Sequence, residues 1–206
     1  MARPRKATDE QIFAAAYRVM QRLGPAQWTL ADIASEADLT AGALVQRFGS
    51  KRALLVALIA RFADAVPGMH AALRKRHRSP LKVLHAYVEQ AACLAMSREG
   101  LAHHLDYLRL DLTDPEMHVH FKRQAGAERA FVVELLGEAV ASGQLRATSD
   151  VATLARLVEA IITGSLFTWA AYQEGRAADW MHRNVDDLLE PYLARPPGRT
   201  ARRPPR

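Results

Sequence analysis

Cysteine is almost absent from the chain: Cys93 stands alone. An intrachain disulfide is therefore excluded, and so is a zinc site built on a cysteine pair; Cys93 reads as a small buried hydrophobe. Period-two alternation of apolar residues, the mark of a half-buried strand, is scarce, while spacings of three and four recur almost everywhere, so the expected fold class is all-α. No uninterrupted apolar run is long enough to span a bilayer, and the opening MARPRKATDEQ has no apolar segment behind its charges. The expectation is a soluble, cytoplasmic chain with no membrane partner. A Gly-rich phosphate loop and a nucleophile elbow are missing as well. His103 and His104 are adjacent, and His118 and His120 are two apart, unlike the i, i+4 pair of a helical metal site. No enzyme activity, no metal and no cofactor are expected.

What the chain has is apolar bulk and a positive charge. Half of its 206 residues are hydrophobic, enough for a sizeable core in one domain or two small ones. The net charge of +6 points toward nucleic acid, yet residues 195 to 206, RPPGRTARRPPR, supply five arginines and no acid. The rest of the chain is left at only about +1, so most of the basicity is in the tail. Four prolines and no periodic apolar residues predict that this tail is an extended, disordered segment.

Helix starts and stops are marked by local chemistry. Thr8 with Gln11 is a capping-box pattern, and Ser79-Pro80 and Asp114-Pro115 each place a cap before a first-turn proline. Gly24-Pro25, Gly100, Gly143 and Gly175 punctuate helix ends. The reading gives helices over 8–23, 30–37, 41–47, 51–77, 80–98, 101–112, 115–141, 150–173 and 177–193. The basic cluster RKRHR at 74–78 falls at a helix C-terminus, where positive charge complements the dipole. Short helices before residue 50 and long apolar ones after it predict a unit at 1–50, a connector helix at 51–77, a second unit spanning 51–194 and the tail at 195–206.

The informative stretch runs from Thr29 to Ile59. Thr29 caps a helix whose Leu30, Ile33, Ala34 and Ala37 share a face. Asp38 sits where the turn needs a left-handed residue, Leu39 plugs the angle, and Thr40 caps a second short helix with Leu44 inward and Phe48 at its far end. Two short helices joined by a tight turn make the geometry that inserts a helix into a DNA major groove. The outward side of the second helix carries Thr40, Ala41, Gly42, Val45 and Gln46. The small residues permit close approach, Val45 suits a thymine methyl, and Gln46 has the paired donor and acceptor that match adenine. Lys51 is placed to join backbone amides around a phosphate.

The run Ala37, Leu39, Thr40, Gly42, Ala43, Leu44, Phe48, Ser50, Lys51 and Leu54 resembles the helix-turn-helix pattern of the TetR family of bacterial transcriptional regulators, roughly AGVSKGALYHHFPSKEEL. The match is strong from Thr29 to about Leu58, and the preceding helix, Ile12 to Leu23, fits as well. Three positions depart from it. Val45 replaces a phosphate-contacting tyrosine, with Arg47 as the candidate substitute; Asp38 replaces the turn glycine; and Arg52 replaces an acid.

The resemblance implies an N-terminal three-helix helix-turn-helix DNA-binding domain and a C-terminal helical ligand-binding and dimerisation domain. It implies a homodimer joined through the helices near 150–173 and 177–193, and a double-stranded DNA operator as partner. The stripe Leu154, Leu157, Val158, Ile161, Ile162, Leu166 and Trp169 is broad enough to need partners on two sides. An unidentified small-molecule effector is also implied, in a cavity walled by the helices of 80–141 and the inner face of 150–173. The search region is Cys93, Met96, His103, His104, Tyr107, Phe121, Phe167 and Trp169, each with ordinary core packing as the alternative. The function expected is a ligand-responsive repressor. The alternatives are an all-helical enzyme that retains the helix-turn-helix and a DNA-binding adaptor without a ligand.

Overall fold

The computed structural model describes residues 7–95 and 97–194, so Met96 and the arginine-rich tail lie outside the described residues. Within them nine α-helices follow one another: α1 (Asp9–Gln27), α2 (Leu30–Glu36), α3 (Ala41–Phe48), α4 (Lys51–Arg76), α5 (Pro80–Ala92), α6 (Arg98–Thr113), α7 (Pro115–Ala141), α8 (Val151–Tyr172) and α9 (Ala177–Leu189). Short 3-10 turns occupy Cys93–Ala95 and Glu190–Tyr192. No strand forms among the described residues; the one β-like contact is an isolated bridge between Leu145 and Leu193.

The caps read from sequence form as expected. Thr8 and Gln11 make a reciprocal box, Gln11 N–H donating to Thr8 Oγ1 at 3.3 Å and Thr8 N–H to Gln11 Oε1 at 2.9 Å. Asp114 caps α7 through the backbone amides of Glu116 and Met117, and Ser79 caps α5 ahead of Pro80. Two glycines behave differently from each other. Gly24, at φ 68° and ψ 173°, breaks α1 in a region open to glycine alone, after which the chain completes one further turn. Gly100 does not end a helix; it lies in the first turn of α6, where its amide donates to the capping Ser97 Oγ at 3.0 Å. The α5 helix also stops earlier than the predicted 98, at Ala92, because Ser97 restarts the chain as α6.

Two hydrophobic clusters organise the molecule. One gathers α1, α2, α3 and the start of α4 around Ile12, Val19, Trp28, Ile33, Leu44 and Leu54. The other joins the end of α4 to α5, α7, α8 and α9 around Leu84, Val132, Leu135, Leu154, Val158 and Met181. The α4 helix runs through both, contributing Leu58 to the first and Leu73 to the second. Its C-terminal Arg74 is paired with Glu138 at 2.8 Å and Glu134 at 3.1 Å on α7. The α4 and α8 helices are each long and apolar enough to cross a membrane by length and composition. Here α4 lies along α7, and α8 is held between α7 and α9.

Candidate nucleic-acid interface

Thr29 starts α2 with a capping box of its own. Its backbone N–H and its hydroxyl each donate to Asp32 Oδ2 at 2.7 Å, and Asp32 N–H donates back to Thr29 Oγ1 at 3.2 Å. Those bonds hold the Asp32 carboxyl below its ordinary range. The helix ends as Ala37 N–H returns to the Ile33 carbonyl at 2.9 Å, and Asp38 then takes φ 54°, the left-handed turn expected of it. Leu39 packs into the N-terminal cluster while its amide donates to Ala34 O at 2.8 Å. Thr40 Oγ1 accepts from Ala43 N at 3.2 Å and launches α3. The fully buried Leu44, and Phe48 against Phe13, fix the inward side of that helix.

Gly42, Val45 and Gln46 are left on the outer surface. Val45 is 47 % exposed, unusual for an aliphatic residue in a short helix with a core beneath it. A Cβ built on Gly42 would meet only Thr40 Oγ1, at 3.9 Å. Internal packing therefore does not demand glycine there, and its smallness keeps the outer approach clear.

The cations of this region each have partners within the fold. Arg47 is not presented beside Val45: Nη1 donates to the Ala7 carbonyl at 2.6 Å and Nε pairs with Asp9 at 2.7 Å, so Arg47 ties α3 to the start of α1. Lys51, in the first turn of α4, reaches across to the start of α2. Its Nζ donates to the Trp28 carbonyl at 2.6 Å and lies 4.3 Å from the centre of the Trp28 ring. Burial lowers the Lys51 pKa, with Asp32 opposing. Lys51 thus ties the first turn of α4 to the residue that precedes the Thr29 cap of α2. At the other end of α2 Arg18 donates to Glu36 at 2.8 Å, the largest of the effects that lower the Glu36 carboxyl.

Comparison with known proteins agrees with this geometry. Residues 12–58 match the family model described as bacterial regulatory proteins, tetR family. The chain is 28 % identical over 205 residues to a probable HTH-type transcriptional regulator, ArpR, of Pseudomonas putida, across 90 % of this chain and 94 % of that one. The fold superposes on a TetR transcription regulator from Haloarcula marismortui with a TM-score of 0.74 at 16 % identity, over 90 % of this chain and 97 % of that one. A transcriptional regulator from Saccharomonospora viridis, solved in complex with choline, gives a TM-score of 0.76 at 19 % identity, over 91 % and 98 %. Residues 12–58 carry the DNA-binding pattern of the TetR family of transcriptional regulators, and the whole chain is similar to proteins of that kind.

In this TetR-like chain the residues of the effector search region lie on several helices. His103 and Tyr107 on α6 face the DNA-reading unit: His103 Nδ1 lies 3.3 Å from the Gln21 carbonyl, and Tyr107 packs on the N-terminal cluster. His104 is half-buried, and burial lowers its pKa. Phe121 is half-buried beside His118. Phe167 points outward at 49 % exposure, whereas Trp169 is buried and its Nε1 donates to Gly175 O at 3.0 Å, fastening the α8–α9 turn. Cys93 is exposed, contrary to the expectation of a buried thiol, because α5 ends one residue before it. A wide-open surface cleft of about 520 Å³ lies between α5 and α9, lined by His77, Leu81, Lys82, His85, Ala86, Glu89 and His182. Across it His85 pairs with Asp186 at 2.8 Å and His182 with Glu89 at 3.0 Å.

Sequence reasoning missed the docking of the α6–α7 turn onto the DNA-reading unit. Arg52 makes a two-pronged bond to Asp114, both arms 2.8 Å, and a third to Glu116 at 2.9 Å. Met117, 3 % exposed, enters the N-terminal cluster alongside Leu110. The only sequence signals were the Asp114-Pro115 cap and the replacement of the usual acid by Arg52.

Proposed function

We propose that this TetR-like chain is a ligand-responsive repressor that binds a partly palindromic operator as a homodimer. The observation that carries the reading is the outer side of α3: Gly42, Val45 and Gln46 are exposed on a helix whose other side is locked into a core. In the complex Gln46 reads adenine, Val45 packs on a thymine methyl, and Ala41 and Gly42 allow the close approach. Thr29, Thr40 and Lys51 sit at helix N-termini and take backbone phosphates. Arg47 serves indirectly, by holding α3 to α1.

Two readers must be set about 34–36 Å apart to meet successive major-groove faces, which calls for a dimer. The α8 helix supplies a surface for it. Leu157, Phe167 and Tyr172 are 40 %, 49 % and 66 % exposed, and a Cβ on Gly164 would meet nothing within 4 Å. A two-fold axis across this face buries the same apolar residues from both copies. The division of labour is a reader at 1–50, α4 as connector, a sensing and dimerising body to 194, and the tail at 195–206. The reading assigns the protein no chemical step and places it in the cytoplasm. Choline bound by the Saccharomonospora viridis relative supports a small-molecule effector in the body. Such a ligand shifts the equilibrium only as far as it prefers one of two conformations.

The test is titration of the purified full-length protein against duplexes from upstream of its own gene, at two salt concentrations. One duplex should bind tightly over competitor DNA, Gln46→Ala should weaken that site selectively, and Lys51→Ala should lower the salt dependence. Binding that is uniformly weak, salt-sensitive and lost on deleting residues 195–206 would refute the reading in favour of a nonspecific tail.

A further inference from the structure

The break in α1 at Gly24 leaves a helix end short of donors. In an unbroken helix the Gln21 carbonyl would accept from the amide of residue 25. Here the chain turns away at Gly24, and residue 25 is a proline, which has no N–H to give. The donor that faces this carbonyl comes from the body: His103 Nδ1, on α6, lies 3.3 Å from Gln21 O. A carbonyl oxygen only accepts, so the contact is a hydrogen bond when Nδ1 carries a proton, in the Nδ1–H tautomer or in the imidazolium.

The glycine makes room for the ring. A Cβ at Gly24 would lie 2.5 Å from Cδ2 and 2.8 Å from Nε2 of His103. Past the break the chain makes one further turn and reaches Trp28, 1 % exposed in the N-terminal cluster, and then Thr29, the cap of α2. The entry to the helix-turn-helix thus follows directly from the point that His103 holds. The far end of α6 is held as well: Arg52 of α4 makes its two-pronged bond to Asp114, which closes α6. From 103 to 114 the helix spans about 16 Å. Two anchors that far apart fix a tilt, which one alone does not. The ion pair holds α4, His103 holds α1, and Tyr107 and Leu110 pack into the N-terminal cluster between them.

We propose that His103 is a positioning residue for DNA binding: it donates Nδ1–H to the carbonyl that the Gly24-Pro25 break leaves open, and so sets the tilt of the DNA-reading unit on the body. The proposal rests on the reading of the protein as a DNA-binding dimer. In a dimer a change of tilt in each reader alters the separation of the two recognition helices. Loss of the bond therefore lowers affinity and blurs the preference for one half-site spacing, while the fold persists.

The experiment uses full-length protein and two substitutions of nearly equal size, His103→Asn and His103→Leu. The asparagine amide puts an N–H close to the place of Nδ1, whereas leucine puts a methyl there, and the packing lost with the ring is common to both. Affinity is read for the specific duplex and for versions with one base pair added or removed between the half-sites. His103→Leu should weaken the specific duplex by about threefold, the lower range for one hydrogen bond because the contact lies at the protein surface, and should narrow the gap between spacings. His103→Asn should keep both close to wild type. A second arm needs no DNA. Amide hydrogen exchange in the last turn of α1 before Gly24 should be faster in His103→Leu and near the wild-type rate in His103→Asn. Equal effects of the two substitutions in either readout, or a spacing preference untouched by His103→Leu, overturn the proposal. Absence of specific binding by the wild-type protein would instead sink the DNA reading, and the exchange rates would still decide whether His103 holds the end of α1.

Discussion

Replacing Asp111 with asparagine should stabilise the protein at neutral pH and leave it nearly unchanged in acid. Asp111 lies half-buried on α6 with Oδ1 enclosed and unpartnered, and burial lifts its pKa from 3.8 to about 6, against the opposing pull of His118. A raised carboxyl pKa means that the folded state holds the proton more tightly than the unfolded chain does. Its contribution is therefore complete below the unfolded value of 3.8 and is lost as pH rises through about 6. A shift of about two units corresponds to about 3 kcal/mol, which the partial exposure of the side chain reduces to about 1–2 kcal/mol. The amide that replaces the carboxylate carries no charge to desolvate. Urea denaturation at fixed protein concentration should then show Asp111→Asn more stable by that amount at pH 7.5. The advantage should fall to about half near pH 5 and vanish below about pH 4. A variant that is no more stable at pH 7.5, or whose difference from wild type does not change with pH, would refute the reasoning.

Other outcomes follow from the same geometry. Gly24→Ala combines a positive φ with a Cβ driven against His103, and thermal unfolding should show a loss of about 2 kcal/mol or more; adding His103→Ala should recover only the steric part. Arg52→Ala removes three hydrogen bonds, but its side chain is 53 % exposed. It should therefore move the midpoint of a denaturant titration very little, because solvent screens the ion pairs and Asp114 keeps its capping role for α7. If the protein is the proposed dimer, Leu157→Glu together with Phe167→Glu should convert it to monomer in sedimentation and weaken operator binding, with helix content preserved by circular dichroism; a dimer that persists would place the interface elsewhere.

Legibility in the sequence followed the range of the interactions. Caps such as Thr8, Thr29, Thr40 and Asp114 act within three residues, and each forms where the sequence placed it. Asp38 in its left-handed turn is a local matter as well. Gly100 misled because a glycine can serve a first turn as well as end a helix, and only Ser97 decides between the two. The inward or outward sense of α3 was readable from Leu44 and Phe48, so the exposed positions followed. Side chains on long flexible stems were not readable. Arg47 and Lys51 both find partners brought near by folding, Arg47 on Asp9 across 38 positions of sequence and Lys51 on Trp28 across 23. The effector search region scattered for a related reason: residues chosen for type along several helices have no shared address until the crossing of α6 against α1 is known. His103 and Tyr107 turned out to belong to that crossing.

The buried Met117 has a practical consequence. The DNA-reading unit borrows part of its core from a stretch of chain about sixty residues downstream of the segment that matches the family model. A fragment cut after α4 would lack Met117, Tyr107 and Leu110, and removing a buried methionine alone costs about 2–5 kcal/mol. Such a reader is not a detachable module. A chimera that grafts it onto a foreign sensor has to carry the α6–α7 elbow along with it, or rebuild the hollow that the elbow fills.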